Sequence, residues 1–207
     1  MPKRVESWVV NDEFWRRVEP LIPARVRKQV GFYVRKPGAG RPPKPARQVF
    51  EAVVYVLRTG CQWKALPKER FGSASAVHKR FLEWEQAGFF ENLWKAGLAE
   101  YDDMEGIAWR WQSVDGALMK APLAQEAVGP NPTDRGKKWK QAPSPGGRPW
   151  RPVVARRDRG QRSWFNRFRK LLVRYEKLER SFVALNHLAA AIIAFCKVPA
   201  DVNIIYG

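Results

Sequence analysis

Apolar residues recur at helical spacing in a series of separate stretches along this chain, and each stretch is bounded by polar caps or by glycine and proline. Asn11-Asp12 opens the first, where Phe14, Val18, Leu21 and Ile22 predict a short amphipathic helix that Pro20 and Pro23 end. From Arg47 to Thr59 the positions Val49, Phe50, Val53, Val54, Val56 and Leu57 cover a wide helical face, and Gly60 is placed to cap it. A turn with two apolar anchors, Trp63 and Leu66, follows at 61–67. Ser73 then starts a helix with Val77, Phe81, Leu82 and Trp84 inward and His78, Lys79 and Arg80 outward. Beyond Gly88, Phe89 to Tyr101 repeats the pattern through Phe90, Leu93, Trp94 and Leu98.

The pattern changes in the middle of the chain. Trp109 to Lys120 reads as a short strand carrying one carboxylate, Asp115, opened by Gly116 onto a second extended segment. Between Pro122 and Pro152 seven prolines and several glycines rule out a long helix, and 137–162 shows neither a period of two nor one of 3.6. That segment is expected to be poorly ordered. Helical spacing resumes at Ser163, with Trp164, Phe168, Leu171, Leu172 and Tyr175 on one face and Arg167, Arg169, Lys170 and Arg174 on the other. After a break near Leu178, a helix from Phe182 to about Cys196 is apolar almost all round, so it belongs in a core or a dimer interface.

Charge narrows the partner. The formal net charge is +18, and Asp134 to Arg180 holds sixteen Lys and Arg against four Asp and Glu, which is +12 of it. Such self-repulsion points to a polyanion, nucleic acid before a membrane surface, with DNA and RNA undistinguished by charge alone. A helix, a tight connection and a second helix with a basic outer face also fit a helix-turn-helix, in which Lys79 and Arg80 reach the major groove. Any helical hairpin with surface lysines satisfies the same pattern. Gly40-Arg41-Pro42 reads equally as a minor-groove arm or a solvated linker. Trp63 and Trp84 are expected in the core rather than stacked on bases.

Two cysteines, Cys61 and Cys196, and two histidines, His78 and His187, make neither a disulfide framework nor a His/Cys metal cluster. The first residues lack a signal-peptide core, and the longest apolar run, Leu188 to Cys196, is far below the ~20 residues of a membrane span. The expectation is a reduced, cytoplasmic, nucleoid-associated protein with no membrane role.

Several stretches together resemble a bacterial insertion-sequence transposase of the DDE class, in the insertion sequence five group within the insertion sequence four superfamily. They are Asp12-Glu13-Phe14-Trp15, Glu19-Pro20-Leu21-Ile22-Pro23, Gly40-Arg41-Pro42-Pro43-Lys44, and Tyr55 to Pro67 with its Arg58-Thr59-Gly60-Cys61-Gln62-Trp63. Trp111 to Gly116, the Asn131-Pro132-Thr133-Asp134-Arg135-Gly136-Lys137 run and Ser163 to Glu176 complete the set. The resemblance implies a mainly α chain: an amino-terminal helical, helix-turn-helix-like DNA-binding domain, then a ribonuclease-H-like α/β domain, here truncated to few strands. It divides the chain into 11-105, the DNA-binding domain; 106-136, the first catalytic strands; 137-162, the Pro/Gly/Arg-rich segment; and 163-197, the last catalytic helices.

In that family three carboxylates hold two divalent metals, Mg2+ by preference for hard oxygen ligands, roughly 3.5–4 Å apart for in-line attack on a phosphodiester. Asp115 matches the first carboxylate as catalytic residue and metal ligand. The second has no counterpart, and Arg159 stands where the third, a glutamate, is expected, with Asp158 one residue away. The composition of 138–162 resembles a GC-rich reading frame read out of phase. The resemblance therefore implies DNA transposition as the family function and a catalytically defective copy. The alternatives are a DNA-binding-only inhibitor and a decayed product with no function. The expected partners are double-stranded DNA at terminal inverted repeats and another copy of this chain or an intact transposase. Expected DNA contacts are Arg41, Lys44, Lys79, Arg80, Arg135, Lys137, Arg167, Arg169, Lys170 and Arg174.

Overall fold

The computed structural model describes residues 6, 8–25, 43–105 and 164–197. Those residues are mainly α, with seven α-helices and no β-strand among them: α1 (Asp12–Val18), α2 (Ala46–Thr59), α3 (Lys68–Phe71), α4 (Ala74–Gln86), α5 (Phe89–Glu105), α6 (Arg169–Leu172) and α7 (Glu179–Lys197). Short 3-10 turns at Glu19–Leu21, Trp63–Ala65 and Trp164–Arg167 join them. The segment around Asp115, where strands are expected, lies outside the described residues.

Local chemistry explains the boundaries. The Asn11 side chain accepts from the Phe14 amide at 2.8 Å and caps α1, whose first turn carries Asp12 and Glu13 and whose last carries Arg16 and Arg17, the order the helix dipole favours. Gly60 ends α2 in the left-handed region at φ 72°, its amide bonded to the Val56 carbonyl. Gly60 also admits a neighbour: a Cβ there would lie 3.0 Å from Arg169 Cβ and 3.1 Å from the Arg169 carbonyl carbon. The first turn of α6 is thus seated directly on the end of α2.

One hydrophobic core runs through the stretches 8–25, 43–105 and 164–197. Phe14, Phe50, Phe81, Trp84, Phe89 and Leu93 meet Phe168, Leu185 and Phe195 in a continuous buried cluster. The most extensive helix pairing is α5 with α7. It is close enough at Gly97 that an added Cβ would come within 3.0 Å of the Phe195 ring. Glu179–Cys196 has the length and mean hydropathy, 1.2, of a membrane span, but Leu185, Leu188, Ala189, Ile192 and Phe195 are buried in this core. The near-continuous apolar character of α7 is explained by that burial.

Three local expectations are corrected. The link from α2 to α4 is not a tight turn, because 60–73 folds a 3-10 turn and the four-residue α3, started after Pro67 and stopped by Gly72 at φ 70°. A four-residue helix is too short to show a period. The helix expected from Ser163 to Tyr175 is broken at Phe168 (φ −101°, ψ 86°), and the chain turns extended at Val173 (φ −137°, ψ 126°). Each break rotates the faces, so Leu172 and Tyr175, expected inside, are 47% and 50% exposed, while Lys170 and Arg174, expected outside, are 5% and 3% exposed. His78, expected outward, is half-buried against Trp63.

Candidate nucleic-acid interface

The sequence stretch from Arg58 to Pro67 and the stretch from Phe165 to Lys177, about a hundred residues apart, dock on each other. Trp63 Nε1 donates to Glu176 Oε1 at 3.2 Å. Glu176 also pairs with the Lys170 ammonium at 3.1 Å, and Lys170 Nζ reaches the Cys61 carbonyl at 3.5 Å. The Trp63 ring packs on His78 at 4.9 Å and on Phe81 at 5.0 Å, carrying the same cluster onto α4. Burial is the main reason the His78 imidazole is held below its ordinary value; Glu176 acts in the opposite sense and Lys170 in the same. The buried Lys170–Glu176 pair is thus a brace between two motifs.

Around this brace the surface is basic. Lys64 on the 3-10 turn, Arg167 before α6 and Arg169 in it are exposed, and Lys79 is exposed on α4 beside His78. Arg58, in the last turn of α2, lays its guanidinium 4.6 Å from the centre of the Phe168 ring. Its Nε is buried without a hydrogen-bond partner. Burial lowers its affinity for a proton, as does neighbouring Arg167, with Cys196 opposing. Side chains of this kind, arginine and lysine on rigid backbone, bind phosphate oxygens whatever the base sequence.

The expected DNA contacts separate into groups. Arg167, Arg169 and Lys79 are exposed and available. Arg80 is engaged on its own helix, paired with Glu83 at 2.9 Å with its guanidinium 5.4 Å from the Trp84 ring. Lys44 donates from Nζ to the Phe71 carbonyl, closing the loop before α2 onto α3. Lys170 and Arg174 are interior: the first is the brace, and the second sits 5.5 Å from the Phe182 ring with Nε and Nη2 buried and unpartnered. Arg41, Asp115, Arg135 and Lys137 lie outside the described residues. Trp84 is fully buried and Trp63 packs in the cluster, as expected of core residues. Arg58 and Lys64 were not among the expected contacts. Their one signal was membership of the Arg58-to-Pro67 stretch, which as a hydrophobic pattern reads only as a helix end and a turn.

Among the described residues no group of three or more His, Cys, Asp or Glu is placed to hold a metal ion.

Residues 10–94 match a family model described as "Putative transposase of IS4/5 family". Two curated relatives align. The "Insertion element IS402 uncharacterized 16.2 kDa protein" of Burkholderia cepacia is 29% identical over 125 residues, covering 60% of this chain and 81% of that protein. "Uncharacterized protein y4sN" of Sinorhizobium fredii (strain NBRC 101917 / NGR234) is 26% identical over 113 residues, 54% of this chain and 76% of that one. No solved structure matches the chain significantly. The matched segment runs from Val10, at the threshold of α1, to Trp94 within α5, and so takes in the core of α1, α2 and α4 and the whole Arg58-to-Pro67 stretch. Over residues 10–94, then, the chain's helical region is similar to the putative transposases of the IS4/5 family.

Proposed function

We propose that this protein is a transposase-family DNA-binding module, one that engages the terminal repeats of an insertion element without cutting them. The observation that carries the reading is the docking of the family's helical region onto the basic 164–177 segment through Trp63, Glu176 and Lys170. That docking sets Arg169, two residues after Arg167, against the end of α2 at Gly60. A fixed constellation of cations on rigid elements is what a phosphate backbone requires. The 16.2 kDa relative from an insertion element, smaller than this 23.9 kDa chain, is consistent with a short protein of this kind.

Strand cleavage is not part of the proposal, because the donor set does not fit it. Two-metal phosphodiester chemistry needs several carboxylates converging on one site. By resemblance Asp115 supplies one, the second has no counterpart, and Arg159 would bring a positive charge to the place of the third. A basic residue among metal ligands repels the ions it replaces a ligand for. Acting on element DNA, the module works in the cytoplasm at the nucleoid, either with a second copy of itself or together with an intact transposase.

The test incubates the protein with a labelled terminal-repeat duplex and magnesium. The expected result is a retained complex and uncut DNA. Cleavage that disappears in Asp115→Ala would overturn the non-cutting reading.

A further inference from the structure

Arg58 is placed unlike the other half-buried arginines. Arg17 pairs with Glu100 at 2.7 Å and Glu13 at 3.2 Å, Arg47 with Asp12 at 2.6 Å, and Arg80 with Glu83 at 2.9 Å. Arg58 has no such partner: among the described residues the charged groups acting on it are Cys196 and another cation, Arg167. The last carbonyls of α2 supply only part of a negative charge. The Phe168 ring lies 4.6 Å from its guanidinium carbon and Nε is buried without a hydrogen-bond partner, so a ligand meets the guanidinium at its Nη end. Arg167, the exposed residue just before that ring, acts on Arg58 as a second positive charge, and an anion beside Arg58 relieves the repulsion.

We propose that Arg58, seated on Phe168, and the exposed Arg167 form a binding site for a single phosphate group. The inference rests on the DNA-binding reading above for its source, a backbone phosphate of the duplex, although a free phosphate ion has the same recognition chemistry. Arg58 gives a planar fork able to donate two parallel hydrogen bonds to phosphate oxygens, and Arg167 adds a second charge. Cys196, close enough to Arg58 to influence its charge, reports occupancy: an anion on Arg58 disfavours the thiolate and slows alkylation.

The experiment uses the full chain, with Arg58→Gln, with Arg58→Lys to keep the charge and lose the fork, and with Lys95→Gln as a charge-matched change on α5. Helix content by circular dichroism confirms that each variant folds. Duplex binding is titrated across salt, and Cys196 alkylation, separated from Cys61 by peptide mapping, is followed with duplex, with inorganic phosphate and with chloride at equal ionic strength.

Duplex and phosphate should both slow Cys196 alkylation in the original chain and in Lys95→Gln. In Arg58→Gln the phosphate effect should vanish, duplex affinity should fall several-fold, and the slope of log K against log salt should shrink by about 1. Arg58→Lys should fall between. If Arg58→Gln binds duplex with unchanged affinity and slope, or phosphate protects Cys196 equally with and without Arg58, the site is wrong although DNA binding stands. If the original chain binds no duplex but phosphate protection is lost in Arg58→Gln, the phosphate site stands and the DNA reading fails. If neither duplex nor phosphate affects the original chain, both fail.

Discussion

Trp63 and Glu176, 113 positions apart in sequence, share a hydrogen bond of 3.2 Å, and the same carboxylate neutralises the buried Lys170 ammonium at 3.1 Å. Glu176→Ala therefore removes one partner and strands the other. An uncompensated buried charge costs about 3–5 kcal/mol, and the loss should be at the lower end here because the cluster borders solvent. Adding Lys170→Met to Glu176→Ala should recover part of that loss. Urea denaturation of the single and double variants measures both quantities, and a double variant less stable than Glu176→Ala alone would show that Lys170 is not the stranded group.

Gly60 and Gly88 share a φ of 72°, but only Gly60 has a neighbour in the way. Alanine at either position should cost about 1 kcal/mol for the left-handed backbone. Gly60→Ala should cost more than Gly88→Ala, because its Cβ would press on the backbone of Arg169. Equal melting temperatures for the two variants would contradict the seating of α6 on α2.

Arg174 is buried over Phe182 with Nε and Nη2 unpartnered. Buried polar groups left without partners cost about 1–3 kcal/mol each, more when charged. Arg174→Met keeps the contact with the ring and removes the penalty, so it should leave the protein as stable or more stable. A fall in melting temperature would mean that the guanidinium is satisfied in solution.

Stability should fall as the solution is acidified below the ordinary histidine value of 6.5. Burial holds His187, which stacks on Trp94 at 5.1 Å, and His78 below that value. The unfolded chain then takes up protons first, so stability present above 6.5 is lost as pH drops toward the folded values. Glu91 raises and Lys95 lowers the His187 value, both less than burial does. Glu85 acts in the other direction: burial raises its carboxyl above 4.5, so it favours the folded state as pH approaches that value. Melting temperatures from about pH 7.5 to about pH 5.5 should decline, and His187→Phe, which keeps an aromatic ring against Trp94, should flatten the decline. An unchanged slope in that variant would place the titrating group elsewhere.

Helices with long apolar faces were legible in the sequence. The start of α1 and the stop of α2 follow from Asn11 and Gly60, and the burial of Phe50, Val53 and Leu57 follows from spacing alone. The 164–177 segment was not legible, because the breaks at Phe168 and Val173 shift the phase of the pattern within ten residues and carry Lys170 and Arg174 inward. The approach of Gly60 to Arg169 was equally hidden, since local periodicity holds no information about contacts a hundred residues away. Of the interface, the exposed Arg167 and Arg169 could be read from charge. Arg58 could not, because the unpartnered state of its Nε among the described residues depends on which groups the fold brings near.

The central claim is tested most directly by the salt dependence of binding to a terminal-repeat duplex, measured with magnesium present and the DNA recovered afterwards. A module using Arg58, Lys64, Arg167 and Arg169 on phosphates should give a slope of log K against log salt of about −3 or steeper, with intact DNA at every point. A slope near zero, or cut strands that depend on Asp115, would contradict it.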